Sequence, residues 1–277
     1  MQVHFALLIS TTCQRFSLGF FILSVISSNI LGISLPMDVI SIIALVFLVI
    51  GALASAAHLG RPSRFFNSFS NPGSHLSQEA IISPFLGVAL FLCCIDTLFL
   101  HSGTLGAVFQ WVSVALSALF LVSTGLVYQL YARPAWDTPL VLIIFLLSSA
   151  EIGTLSVLSA AEGGPDASLI IMASLALAAC VISQYLYLQR LPGLGSGTAI
   201  KVSAAPYRAL FVIWLLVGVL APALALLGLS ITEQAIYAFL GAGASIIGIM
   251  VWTAFFFKSA LKVKLFPMYR VDVNEYM

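Results

Sequence analysis

Charge is what this protein has least of: 11 Lys and Arg and 10 Asp and Glu among 277 residues, or 8%. Soluble domains carry about 25% charged residues, so this one cannot clothe a globule in water. Cysteine is scarce as well. Cys13, Cys93, Cys94 and Cys180 all fall inside apolar runs, and none forms a CxxC pair or a Cys/His cluster with metal spacing. They read as small hydrophobes in a packed interior, with neither disulfides nor a metal cluster expected in this chain. Walker, HExxH, nucleophile-elbow and Rossmann patterns are all missing. The glycines of LPGLGSGTAIK, residues 191–201, lack the GK[ST] ending of a phosphate loop and follow an apolar segment. A net charge of +1 points to no nucleic-acid partner.

Hydrocarbon fills the space that charge leaves: 61% of residues are hydrophobic and mean hydropathy is +1.12. A membrane-spanning helix needs about 20 mostly apolar residues, and inside lipid the backbone must close its own hydrogen bonds. Runs of that kind predict eight spans, over residues 5–32, 38–58, 80–101, 105–130, 138–160, 167–190, 208–229 and 233–257. The sequence therefore reads as an all-α integral membrane protein. Its eight transmembrane helices form one bundle over residues 1–257, and a basic C-terminal tail covers 258–277. The opening MQVHFALLISTTCQRF lacks the basic start of a cleaved signal peptide and is expected to be a mature membrane helix. No internal repeat stands out.

The few charges are distributed unevenly. An even number of spans puts both termini on one face, together with the connections 59–79, 131–137 and 191–207. That face holds ten of the eleven Lys and Arg residues, among them Arg61, Arg64, Arg133, Arg190, Lys201, Arg208 and Lys258. The opposite face holds none and carries Asp38, Glu162, Asp166 and Glu233. The positive-inside rule places both termini in the cytoplasm. An odd number of spans would mix the charges.

Polar residues at or inside the spans are the candidates for chemistry. His58 ends the second span and Glu79 opens the third, joined by a connection rich in Arg, Asn, Ser and Pro. An ionisable pair at the hydrocarbon boundary suits a quinone, which needs an apolar crevice, a donor to its carbonyl oxygen and a proton route. The plainer reading is that His58 caps its helix and Glu79 pairs with Arg61 or Arg64. Gln14 and Arg15 lie roughly 15 Å down the first span at 1.5 Å per residue. A charge that deep must face the bundle interior, a partner or water. Arg15 could bind an anionic group, pair with Glu151 of the fifth span, or snorkel. Glu151 itself is either a step on a proton path or a carboxyl bonded to neighbouring hydroxyls. Asp96 is expected at the far interface. Four histidines, His4, His58, His75 and His101, all lie near span ends, so a bis-His haem is not expected.

One stretch is more specific than its spacing. His58-Leu59-Gly60, Pro62, Arg64 and Phe66-Asn67-Ser68, followed by Leu76-Ser77 and Glu79, resemble the anchor subunits of dimethyl sulfoxide reductases. That family carries HLGxPxRxFNS and then LSxE about twenty residues later. Weaker echoes occur at Tyr131, Pro134 and Trp136 and at Tyr207-Arg208. The likeness spans the sequence in length and layout, but only residues 58–79 form a specific motif. The resemblance implies a quinol-binding anchor that oxidises menaquinol and passes electrons to a four-cluster iron–sulfur subunit, itself joined to a molybdopterin catalytic subunit. The anchor would hold no haem or metal of its own. His58 and Glu79 match the family's quinol-site residues, with Arg64, Gln14 and Arg15 as further quinol-site candidates. Arg61, Asn67, Arg133 and Arg208 would face the partner.

Two features depart from the family. Better-known members carry a Glu and an Arg in their last helix, whereas GAGASIIGIMVWTAFF, residues 241–256, has neither. Familiar members also place the HLG side in the periplasm, while the charge bias here makes it cytoplasmic. A purely structural membrane anchor remains the main alternative. A secondary transporter ranks below it, because no paired broken helices are evident in corresponding halves.

Overall fold

The structure, a computed structural model, describes residues 5–58, 71–131, 133–164, 166–191 and 208–258, and for His58 the backbone only. Eight helices in it are long and apolar enough to cross a membrane. They are α1 (Phe5–Asn29), α2 (Met37–His58), α3 (His75–Leu100), α4 (Thr104–Val127), α5 (Leu140–Ala160), α6 (Ala167–Arg190), α7 (Arg208–Thr232) and α8 (Ala235–Lys258). The expected eight-span bundle is therefore present. The basic tail and Arg61, Arg64 and Asn67 lie outside the described residues.

The largest boundary difference is in α3, which starts at His75 rather than near residue 80. Its first turn is polar and so escapes a hydropathy reading. A turn closed by Ser74 N–H on Asn71 O (3.1 Å) delivers the chain, and His75 Nδ1 contacts Gln78 Oε1 at 3.0 Å. Glu79 is consequently inside the helix and not ahead of it. Two stretches adopt π-helical winding, Asp96–Leu100 within α3 and Trp214–Leu220 within α7. The second lies just ahead of Pro222, which has no N–H for the normal helical bond, and a widened turn absorbs that loss. The first ends at His101, with φ of 44°, whose N–H returns to Asp96 O at 2.8 Å. Asp96, in the last turn of α3, is buried by the protein. It accepts the Ser102 N–H at 3.0 Å and bonds the Ser102 hydroxyl.

Helices α1 and α5 form the centre. Two-thirds (67%) of the most apolar stretch of each is buried in the protein, against 28–39% for the other six, which turn most of their surface outward. Around this pair, α2, α3 and α4 pack on one side and α6, α7 and α8 on the other. In lipid, apolar faces gain little from meeting, so close backbone approach drives such contacts. Gly19 and Gly153 meet at the α1–α5 crossing, where a Cβ on Gly153 would collide with the Gly19 carbonyl. Many hydroxyls in this interior bond back to their own helices, as Ser24 does to Phe20 O (2.7 Å) and Thr154 to Ala150 O (2.9 Å). Those of Thr12, Ser27, Ser117, Thr124 and Ser156 are buried without a partner. All four cysteines are free: Cys93, Cys94 and Cys180 are buried and Cys13 is half-buried.

The end of the bundle where α1 and α5 begin and α4 and α8 finish is aromatic. Tyr128, Trp136, Phe145, Tyr187, Trp252 and Phe256 pack there in one cluster. This is also the end that carries the excess of Lys and Arg.

Candidate functional site

The deepest charge, Arg15, is buried with 1% of its surface exposed, so it does not snorkel. Its guanidinium is held by three helices. Nε donates to Thr11 O on α1 (2.9 Å), Nη1 to Ser148 Oγ on α5 (3.1 Å) and Nη2 to Thr253 Oγ1 on α8 (2.5 Å). Ser148 and Thr253 can accept because each gives its own proton to a helix carbonyl, Phe145 O at 3.1 Å and Ile249 O at 2.6 Å. The cation also lies over the Phe145 ring, 4.6 Å from its centroid. Every one of these partners is neutral, and among the described residues no carboxylate pairs with Arg15.

Glu151 is not that partner. Also 1% exposed, it sits one turn further along α5, where Ser245 Oγ of α8 donates to it at 2.9 Å and the Cys180 thiol of α6 lies beside it. It ties three helices together through hydroxyl and thiol contacts. The interior thus holds one cation and one carboxyl that do not meet.

Glu79 belongs with Arg15 in a different way. Half-buried on the second turn of α3, it faces the Thr124 hydroxyl of α4. Thr124 Oγ1 is buried and makes no hydrogen bond of good geometry. Tyr128, one turn beyond Thr124 on the same face of α4, lies within electrostatic reach of both the Glu79 carboxyl and the Arg15 guanidinium. Its ring stacks on Phe145 with centroids 5.1 Å apart, so Phe145 separates Tyr128 from Arg15. Tyr128 and Arg15 therefore both lie against Phe145 at the aromatic end, with Thr124 and the Glu79 it faces one turn of α4 away from Tyr128.

The connection after α4 closes this end. Trp136 Nε1 donates to Phe256 O (3.2 Å), Arg133 lies over the Trp136 ring at 4.3 Å, and Arg190 Nη2 donates to Asp137 O at 2.6 Å. Arg133, expected to face a partner, has its cation laid over Trp136. Arg208 is exposed at the start of α7. Phe145, Ile144, Trp252 and Phe256 close around Arg15 without leaving room for a water molecule. Gln14 points elsewhere: it packs on α2, its Cγ 2.9 Å from where a Cβ on Gly51 would stand. On the helix Gln14 and Arg15 are about a hundred degrees apart, so the structure separates them. His58 completes α2 at this same end of the bundle.

Tyr128, Thr124, Ser148 and Thr253 are the residues that sequence reasoning missed. Their only signal is a polar atom near the aromatic end of an apolar helix, shared with many hydroxyls that merely bond their own backbone. Chemically the cluster offers a carboxyl, a phenol, an unpaired hydroxyl and a fixed cation. That set can exchange a proton and hold an oxygen that carries negative charge.

Fold and site together define a polytopic helical membrane protein with ionisable groups collected near one face. The protein belongs to the DMSO reductase anchor subunit (DmsC) family, whose profile matches residues 3–190. It is similar to the C subunit of the anaerobic dimethyl sulfoxide reductase of Haemophilus influenzae (strain ATCC 51907 / DSM 11121 / KW20 / Rd), 32% identical over 108 residues, 38% of this sequence and 39% of that one. It is also similar to the YnfH subunit of an anaerobic dimethyl sulfoxide reductase of Escherichia coli (strain K12), 32% identical over 148 residues, 50% and 52% of the two sequences. The similarity covers about half or less of the length of these curated relatives. Arg15, Glu79, Thr124, Tyr128 and Ser148 fall inside the family match, whereas Thr253 lies beyond it.

Proposed function

We propose that this protein is the quinol-binding membrane anchor of a molybdopterin and iron–sulfur oxidoreductase. It takes electrons from menaquinol and hands them to a four-cluster iron–sulfur subunit, which serves a molybdopterin catalytic subunit. The observation that carries this reading is the gathering of Glu79, Tyr128 and Arg15 at the end of the bundle where His58 completes α2. A structural anchor has no need of a buried, uncompensated guanidinium near a half-buried carboxyl, since such a buried charge costs stability.

Menaquinol oxidation releases protons and electrons together. Glu79 and His58 accept the hydroxyl protons, and Glu79, only half-buried, returns its proton to water at the membrane surface. Arg15 is fixed by Thr11, Ser148 and Thr253. Its charge favours the deprotonating oxygen without any rearrangement of the protein. The aromatic wall excludes water from the ring, and the electrons pass to the nearest cluster of the partner subunit. Gln14 lines the α1–α2 side. Arg61, Arg64, Asn67, Arg133 and Arg208, all on the face that carries the motif, meet the iron–sulfur subunit or position the headgroup. The protein resides in a bacterial or archaeal cytoplasmic membrane with both termini cytoplasmic, and holds neither haem nor metal itself.

The test is His58→Leu in the assembled complex. Intact assembly with menaquinol oxidation lowered by at least about 100-fold, the lower end for loss of a proton-transferring group, is expected. An unchanged rate would overturn the quinol role and leave a structural anchor.

A further inference from the structure

The phenol of Tyr128 is a feature that neither the motif nor the family match assigns. Tyr128 is 9% exposed, yet its hydroxyl forms no hydrogen bond with any described residue. One turn away on the same face of α4, the buried Thr124 hydroxyl faces the Glu79 carboxyl without a hydrogen bond of good geometry. Both belong to the group formed with Glu79 of α3 and Arg15 of α1. The ring of Tyr128 is fixed independently of its hydroxyl. It stacks on Phe145 (5.1 Å) and meets Trp136 and Phe257 at 5.9 and 5.4 Å. The aromatic packing therefore holds the phenol oxygen at one spot whether or not anything binds it.

What fits there must offer hydrogen-bonding oxygen to two hydroxyls, give up a proton to a carboxyl and tolerate negative charge near a guanidinium. It must also be flat and apolar enough for an aromatic wall. A hydroquinone ring has these properties, whereas a phospholipid headgroup lacks both the ring and an acidic hydroxyl. We propose that Tyr128 is a substrate-binding residue of the quinol site, its hydroxyl donating to the quinol oxygen whose proton passes to Glu79, with Thr124 holding the same oxygen from one turn away. This rests on the quinol reading above. In the step, the quinol O–H bond breaks, its proton joins the Glu79 carboxylate and the electron pair stays on oxygen. Tyr128 keeps its own proton and stabilises that oxygen until the electrons leave for the partner's iron–sulfur cluster.

The experiment uses the whole complex purified from membranes, with Tyr128→Phe, Thr124→Val and His58→Leu compared with wild type. Menadiol serves as electron donor and a fluorescent hydroxyquinoline N-oxide as quinol mimic. Tyr128→Phe keeps the stacking ring, so co-purification of the partners is expected to be unchanged. Turnover per KM is expected to fall roughly 10- to 100-fold, the range for one hydrogen bond to a charged oxygen. Mimic affinity should fall with it, and Thr124→Val should weaken the mimic about 5-fold or more, as for a neutral hydrogen bond. A structural role for the phenol would alter assembly and leave affinity alone. Wild-type turnover and affinity in both Tyr128→Phe and Thr124→Val, with His58→Leu inactive, would overturn this inference while sparing the quinol site. Full activity in His58→Leu as well would remove the quinol reading itself. Should Tyr128→Phe fail to assemble, the Thr124→Val affinity decides.

Discussion

At the scale of single residues, Arg15 and Glu151 look alike in a sequence and differ in the structure. Both are ionisable and both are buried, but Arg15 keeps a full charge among neutral hydroxyls, a carbonyl and a ring, whereas Glu151 can stay neutral among them. Replacing an uncompensated buried charge by an apolar side chain of similar length often leaves stability unchanged or improved. Arg15→Met is therefore expected to assemble as well as wild type, within about 1–2 kcal/mol, while its menadiol oxidation falls by an order of magnitude or more. Thermal unfolding in detergent beside turnover checks this, and a large loss of stability with normal specific activity would make Arg15 a structural clamp. Glu151 makes the converse case. Glu151→Gln keeps an acceptor for Ser245 and should cost under about 1 kcal/mol, whereas Glu151→Ala strands the Ser245 hydroxyl and should cost about 1–3 kcal/mol. If Glu151→Gln assembled normally but abolished turnover, the carboxyl would have a proton-carrying role after all.

At the scale of helices, most of the layout was legible and the reasons for the exceptions are physical. Length and hydropathy alone located all eight spans, because lipid forces each apolar run of that length into a helix. They misplaced the start of α3, whose first turn, HLSQE, is polar and held by side-chain and turn hydrogen bonds. The π-helical stretches also escaped, although Pro222 is a local cue for the one in α7. Which helices lie at the centre was not legible either. It depends on where small residues let backbones touch, and the sequence has twenty glycines, only some at crossings. Gly153 is one of them. A Cβ there meets the Gly19 backbone, which cannot yield as a flexible side chain would. Gly153→Val is expected to lose at least about 1–3 kcal/mol, the usual cost of overpacking, and to lower the yield of folded protein. Gly243, which has open space around it, is the control, and Gly243→Ala should change neither. Equal melting temperatures for both variants would show that the α1–α5 crossing is not as tight as described.

At the scale of the whole molecule, function depends on which face the aromatic end adopts. The bundle places the His58 end of α2, Glu79, Arg133, Arg208 and Lys258 at one end, in keeping with the grouping of positive charge expected from an even number of spans. The proposal, on the positive-inside rule, is that this end is cytoplasmic. Lys262→Cys in the tail is then expected to resist a membrane-impermeant thiol reagent in whole cells and to react after permeabilisation. Labelling of intact cells would reverse the orientation. Site legibility was partial for a related reason. Glu79 and Arg15 could be picked out singly as charges where charge is rare, but that each lies within electrostatic reach of Tyr128 on α4 could not, because Tyr128 and Thr124 sit in a segment whose sequence pattern speaks only of lipid. Gln14, adjacent to Arg15 in sequence, faces α2 instead. The central claim is that the polar cluster at the aromatic end is a seat for a quinol. Fluorescence titration of the purified complex with a hydroxyquinoline N-oxide tests it most directly, with wild type compared against Glu79→Gln. The account predicts saturable binding by wild type and an affinity at least about 10-fold weaker in Glu79→Gln, as for loss of a hydrogen bond to a charged group. Absence of binding in the wild-type complex, or equal affinity in the two, would contradict it.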